Sequence, residues 1–449
     1  MRLSCAAPAT YCWRPGGPPE PVCATRGRAI YRMNCMMEFQ TPGQLPLAGV
    51  KVLDLSAYIA GPYGCALLGD MGADVIKVEP PEGDNLRKYP STLPAESRAF
   101  LGINRNKRGL CLNLKDPAGY EVLVRLVREA DVLVHNFRPG VPERLRIDFA
   151  TLAAINPRLI YCAMTGYGAA GPMARHAGYD QVLQSMTGMC AAQAKPDGPP
   201  EVLYGSVVDY YGAALISNSV SAALYQREKT GRGQAIEVSL LGSALAMQSA
   251  RLVWAEGEPR HIERDMRSGG ITGIHPTREG HLYISANTPH FWRALCGHLD
   301  LPDLADHPDY DTVKKRAAQA AVLVPLVRQA LARASAREWA ERFGQSVPCA
   351  EVRPVEDMFD HPQVEAMGFM RPYRSEQAGN YLGLAQWAHF GGAVQDGAQA
   401  AAHEAGQDAG QDAAGRAAPA LGEHSRTILS ALGYTADEID HLLHASVVQ

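Results

Sequence analysis

The sequence has no run of about 18 apolar residues, the length a membrane-spanning helix needs, so no membrane partner is expected. Nor is there an excess of charge of one sign: 43 Lys and Arg stand against 47 Asp and Glu, a formal net charge of -4. That balance gives no general pull toward nucleic acid, and it leaves any anionic ligand to local Lys and Arg. Ten cysteines are present, but with no C-x-x-C pair and no zinc spacing. Free thiols in a reducing cytoplasm are therefore expected rather than disulfides. His275, His281, His290 and His298 match no standard ligand spacing, so no metal site is expected. The G-x-S-x-G elbow and the P-loop are also missing, which removes the usual support for a hydrolase or an NTPase.

What is there suits two domains, the natural expectation for 449 residues of which 46% are hydrophobic. Residues 1–45 stand apart, with Pro15-Gly16-Gly17-Pro18-Pro19, several Arg, and only Glu20 and Glu38 as acids. An Arg-rich, acid-poor stretch fits an organelle transit peptide, but the prolines break the amphipathic helix such a peptide needs. A disordered extension upstream of a start at Met33, Met36 or Met37 is the expectation.

From Leu47 the pattern becomes regular. Val50–Leu55, Asp74–Val78, Leu110–Leu114, Asp131–Val134 and Leu159–Ala163 read as strands. Helices are expected from Ala60-Gly61-Pro62 to about Met71, after Asp116-Pro117, and around Phe149–Ile155. This alternation is the signature of an α/β layer structure, Rossmann-like, with a mostly parallel sheet. Residues 46–240 with 345–449 are expected to form it, followed by a linker at 241–264 and a smaller α+β domain at 265–344. Residues 394–420 are rich in Ala and Gly, repeat Ala-Gly-Gln-Asp, and read as a flexible surface insertion. Ser425–Leu443 reads as a final helix.

Several segments invite a chemical reading. Gly166-Tyr167-Gly168-Ala169-Ala170-Gly171 fits the dinucleotide pattern, but Pro172 interrupts the helix that should follow and no acid-ended strand comes about twenty residues later. A glycine loop shaped by backbone needs is the better expectation. Asn104-Arg105-Asn106-Lys107-Arg108, Lys115, Arg138 and Arg144 are either solvated charge or a pocket for a phosphorylated ligand. Asp209 stands where an apolar stretch becomes a long helix of about 210–228. It reads either as the helix cap or as a functional carboxylate beside N–H groups free to bind developing charge. Tyr179-Asp180 reads as a helix entry.

Together the segments resemble the class III coenzyme A-transferases, the family of formyl-CoA and crotonobetainyl-CoA:carnitine CoA-transferases. The likeness is carried by Gly49 to Leu55 with Ala60-Gly61-Pro62, Gly72 to Glu79, Asn104 to Arg108, and Asn136-Phe137-Arg138-Pro139-Gly140. The loop from Gly166 to Asp180, Lys229 to Gln234, and the C-terminal Leu421 to His424 complete it. The resemblance implies that Asp209 is a nucleophile carrying CoA as an aspartyl thioester, with Tyr179 and Asp180 beside the reacting group. It implies a CoA cleft lined by Ile59, Ala60, Leu112, Asn113, Lys115, Asn136, Phe137, Arg138 and Arg144. It also implies acyl-CoA and a small carboxylic acid as substrates, no permanently bound cofactor, and an interlocked homodimer.

Ile59 and Pro80 stand where formyl-CoA transferases carry a glutamine and an arginine, which turns the expectation away from formyl-CoA. Related acyl-CoA racemases place a histidine where Tyr179 stands. A tyrosine, with a reference pKa near ~10, makes a poor base for proton exchange beside a thioester. Transferase chemistry is therefore expected ahead of racemase chemistry or mere CoA binding. Gly269-Gly270 is the expected substrate loop, a lid of paired glycines. Arg251, Arg264 and Arg267 are either surface charge or a site for the second carboxylate of an acid such as succinate.

Overall fold

The computed structural model describes residues 45–93, 96–194, 198–259, 270–390 and 415–449. The extension expected over residues 1–45 lies outside them apart from Leu45, and so do Gly269, Arg264, Arg267 and most of the 394–420 stretch.

Six strands make one parallel sheet: β1 (Lys51–Asp54), β2 (Asp74–Glu79), β3 (Lys107–Cys111), β4 (Val132–His135), β5 (Ile160–Thr165) and β6 (Ala235–Ser239). Their order is β3-β2-β1-β4-β5-β6. The chain lies to one side of β1 through β2 and β3, then crosses to β4 on the other. Connections leaving the carboxyl ends of β1 and β4 diverge there, and the crevice between them is where ligands of such sheets bind.

Helices cover both faces, so consecutive strand residues feed different cores. Val52 packs with Cys65 and Leu68 of α1 (Ala60–Asp70) and with Ile216 and Val220 of a later helix. Leu53 packs with Leu123 and Leu126 of α3 (Pro117–Glu129) and with Ile428 and Leu429 from the C-terminus. A further short helix, α2 (Arg98–Ile103), joins β2 to β3. Between β4 and β5 lie α4 (Val141–Leu145) and α5 (Phe149–Ile155). After β5 come α6 (Asp180–Met186), α7 (Met189–Gln193) and the long α8 (Val207–Thr230), and α9 (Leu240–Ala246) follows β6.

Helices α1 and α8 approach closely because Gly64 has no side chain. A Cβ there would lie 2.9 Å from Ile216 Cγ2 and 3.1 Å from the Ala213 carbonyl oxygen. This contact sets the start of α8 over the start of α1.

The expected strand at Leu110–Leu114 is shifted: the observed strand begins at Lys107, because that lysine is buried and paired rather than solvated. Leu112 instead bridges to Val448 at the C-terminus. The expected single final helix is two, Ser425–Ala431 and Ala436–His444, separated at Gly433, whose φ of 83° is left-handed.

A second sheet is antiparallel, ordered β7 (Gly273–Pro276), β8 (His281–Ile284), β9 (Cys349–Glu351). Its core holds Trp292, Trp339, Leu323 and Phe343. β9 lies past residue 344, the expected end of the small domain, because β8 needs a partner on its second edge. A hairpin, β10 (Met370–Ser375) and β11 (Gly379–Leu384), completes the described strands. Residues 415–420 are not a flexible insertion. Ala418 is buried against Leu86 and Phe100, and Arg416 exchanges hydrogen bonds with Asn106. Among the described residues no helix is long and apolar enough to cross a membrane.

Candidate active site

Charges buried within the parallel strands shape the turn between β1 and α1. Asp54 ends β1 and is fully buried. One of its oxygens accepts from the backbone N–H and the hydroxyl of Ser56, and the other from Lys107 Nζ at 2.7 Å. Lys107 spends its remaining protons on the Pro62 carbonyl and on Asn104 Oδ1, both at 2.7 Å. Burial pushes the Asp54 carboxyl up, but Lys107 and Lys77 outweigh it and hold the group below the ordinary carboxylate value. Lys77 donates to the Ser56 carbonyl and to Asp84. Burial would lower its pKa, yet Asp54, Asp84 and Glu79 raise it to about 12.

Asn136, just past β4, bridges the switch point. It accepts from the Ala57 N–H at 2.9 Å and donates to the Ala57 carbonyl at 2.7 Å. The backbone from Ser56 to Ala60 is thus fixed before it reaches the crevice.

A cavity of about 330 Å³ opens there, lined by Tyr58, Ile59 and Ala60 from one side and by Tyr179, Asp180 and Asp209 from the other. Asp209 is the third residue of α8, not its cap; Ser206 holds the cap position and makes no side-chain capping bond. Asp180 does the capping from another segment. Its Oδ2 accepts the N–H groups of Val208 at 2.6 Å and Asp209 at 2.9 Å, and its Oδ1 accepts Gln184 Nε2 at 2.5 Å. The N–H groups expected to be free for developing charge are therefore occupied.

The same arrangement releases the Asp209 carboxylate, which accepts no hydrogen bond from the described residues. Burial, and then the nearby Asp180 charge, raise its pKa to about 7. Tyr179 meets Tyr58 edge to face, with ring centroids 6.2 Å apart.

The other expected site residues divide. Ile59, Ala60 and Asn136 line the cavity. Leu112 has its side chain in the core at 1% exposure, so only its backbone could face a ligand. Asn113 is half-buried and turns back on Lys115 N. Phe137 stacks on His135, which burial keeps neutral with a pKa near 4. Lys115, Arg138 and Arg144 are exposed and have no ion-pair partner among the described residues. The Tyr120 hydroxyl donates to the Arg146 carbonyl, tying the start of α3 to the end of α4, near Arg144.

The run Asn104–Arg108 is not a phosphate pocket. Arg105 is buried on Asp70 through two bonds, Lys107 is buried on Asp54, and Arg108 pairs with Asp74. Gly270 is exposed, with a left-handed φ of 88°, and neither it nor Arg251 lines the cavity. The glycine loop answers a backbone need, since a Cβ on Gly166 would lie 2.9 Å from Gly178 Cα. Sequence patterning missed Tyr58, Tyr89, Gln181 and Ser206, which also line the cavity. Lone tyrosines and serines in loops carry no spacing signal.

The model of "CoA-transferase family III" matches residues 47–409. The acetyl-CoA:oxalate CoA-transferase of Acetobacter aceti is 35% identical over 72% of this chain and 85% of its own length. The succinyl-CoA:glutarate CoA-transferase of Mus musculus is 30% identical over 90% of each chain. The crystal structure of a CAIB/BAIF family protein from Brucella suis superposes with a TM-score of 0.72 at 29% identity, covering 87% of this chain and all of that one. Its parallel six-stranded sheet, its switch-point cavity and these matches agree, and the chain belongs to CoA-transferase family III, as a CoA-transferase enzyme.

Proposed function

We propose that this enzyme moves CoA from an acyl-CoA to a free carboxylic acid through an aspartyl-CoA thioester on Asp209. The observation that carries the reading is a carboxylate with no hydrogen-bond partner among the described residues, in a cavity at the switch point, made more basic by burial and by Asp180. A carboxylate oxygen of Asp209 attacks the thioester carbonyl, the C–S bond breaks, and a mixed anhydride and CoA thiolate form. The thiolate attacks the aspartyl carbonyl and releases the donor acid as its carboxylate. The acceptor carboxylate then attacks aspartyl-CoA, and the same two steps in reverse give the new acyl-CoA and restore Asp209. Asp180 acts as a positioning residue, holding the first turn of α8 and hence Asp209.

In this reading CoA enters past Ile59, Ala60 and Asn136. Its phosphates meet Lys115, Arg138 and Arg144, which are exposed and have no ion-pair partner among the described residues. Phe137 and the backbone at Leu112 and Asn113 belong to the same wall, and Gly270 with Gly269 to a lid. The named substrates of the relatives, oxalate and glutarate, favour a dicarboxylate here as well.

The test is chemical capture. Incubation with succinyl-CoA and then hydroxylamine is expected to leave a hydroxamate on Asp209 alone, read by peptide mass spectrometry. A hydroxamate elsewhere, or none, removes the covalent route. Deuterium wash-in beside the thioester carbonyl without acyl exchange indicates a racemase instead.

The interlocked homodimer belongs to this proposal. Val202, Tyr204 and Leu252 present exposed apolar surface. Light scattering is expected to return twice the chain mass, and a monomer excludes the interlock.

A further inference from the structure

The cavity around Asp209 has an unusual charge balance for a site that must admit a free acid. Among its described lining residues there is no Lys, Arg or His, and its charged groups are Asp180 and Asp209. Asp180 is satisfied by the N–H groups of α8 and by Gln184. An acid entering beside an ionised Asp209 therefore meets a like charge with no cation in the cavity wall to offset it.

The wall offers phenols instead, from Tyr58, Tyr89 and Tyr179. Tyr58 is the most constrained of the three. It is a bulky aromatic residue at a left-handed φ of 65°. Such a conformation persists only where its surroundings over-determine it, and it clusters at ligand sites. Here the Tyr58 N–H donates to Asp84 Oδ1 at 3.1 Å, and Ala57 before it is clamped on both sides by Asn136. The side chain is aimed as well. Asn85 Nδ2 donates to the Tyr58 hydroxyl at 3.1 Å, and the ring stands edge-on to Tyr179. A phenol oxygen that accepts from an amide keeps its own proton to give away.

We propose that Tyr58, aimed by Asn85, is the specificity-determining hydrogen-bond donor to the carboxylate of the free acid, and that this acid binds only while Asp209 carries no charge. The inference rests on the reading of Asp209 as nucleophile, because acylation is what removes its charge. In the aspartyl-CoA thioester the repulsion is gone, and the phenol donates to an acid that no longer faces an anion. The acid is thus a small carboxylate read by neutral donors, and entry follows acylation rather than preceding it.

Succinate titrated calorimetrically into the Asp209→Asn protein tests this, since the amide is a neutral isostere of the acylated side chain. At about pH 8 its dissociation constant is expected to be about tenfold or more lower than for the wild type. Tyr58→Phe added to Asp209→Asn is expected to weaken succinate about tenfold while CoA affinity stays unchanged. Asn85→Ala, at an exposed position, is expected to act in the same direction but less, and it serves should Tyr58→Phe fail to fold. Equal succinate affinity in wild type and Asp209→Asn overturns the proposal. So does indifference to Tyr58→Phe, or no binding to Asp209→Asn at all. Hydroxylamine capture at Asp209 in the wild type, run alongside, reports the nucleophile independently of these affinities.

Discussion

Asp209→Asn is expected to lose CoA transfer by at least about a hundredfold and, above neutral pH, to melt at a higher temperature than the wild type. The first effect follows from chemistry: an amide does not attack a thioester, and no other carboxylate in the cavity is free to replace it, since Asp180 is held by the N–H groups of α8. The second follows from linkage. Asp209 has an ordinary value of 3.8 and a folded value of about 7. Between these values the folded state holds the proton more tightly than the unfolded chain, so stability falls as pH rises through that window and stays reduced above it. The whole shift would correspond to about 4 kcal/mol at ~1.4 kcal/mol per unit, and partial exposure of the group reduces this to the order of 1–2 kcal/mol. The melting temperatures of wild type and variant are therefore expected to coincide near the acid end and to separate as pH rises toward about 7. In the wild type, kcat/KM for the acyl-CoA should rise through the same region as Asp209 loses its proton. Retained transfer, or a variant no more stable than wild type in mild alkali, contradicts the assignment.

Much of this architecture is legible in the sequence because buried parallel strands are short apolar runs that alternate with amphipathic helices. The strands at β1, β2, β4 and β5 fall within a residue or two of where their apolar runs place them. β3 does not, since a lysine at a strand start reads as solvent-facing, and its partner Asp54 lies 53 positions away. β6 is missed for the opposite reason: an edge strand reading Ala-Ile-Glu-Val-Ser is half polar and carries little signal. At the site, Asp209, Tyr179, Asp180, Ile59, Ala60 and Asn136 do converge on one cavity, and family resemblance rather than spacing points to them.

What no local pattern shows is how they divide the work. Asp209 lies 29 residues from Asp180, and nothing in either segment says that Asp180 caps the helix and leaves the Asp209 carboxylate without a partner among the described residues. The cations err in the other direction. Arg105, Lys107 and Arg108 look available in sequence, yet each has an acid on another strand or helix. A charge inside an otherwise apolar strand is the usable signal, because such a group is buried only when paired. Asp54 and Lys77 carry it, whereas Lys107, at the start of its strand, does not.

That buried cluster makes Lys107→Met the most damaging change expected away from the cavity. Lys107 ties together the end of β1, the first turn of α1 and the residue after α2, through Asp54, Pro62 and Asn104. Its removal leaves a fully buried carboxylate facing Lys77 alone, and breaking one side of a buried pair costs about 3–5 kcal/mol. The pH dependence should change sign. In the wild type the Asp54 carboxyl lies below its usual 3.8, so its contribution is present above that value and is lost as pH falls through the folded one. Without Lys107, burial dominates and raises the group. The variant then loses stability as pH rises, and its deficit against wild type narrows in mild acid. Adding Asp54→Asn is expected to restore part of the loss, because the amide removes the stranded charge. Thermal melts across pH of the single and double variants check this, and a deficit that is independent of pH, or not relieved by Asp54→Asn, would show that lost packing rather than the stranded charge controls the effect. Activity should fall together with stability, since the turn from Ser56 to Ala60 that forms one wall of the cavity hangs on the same lysine.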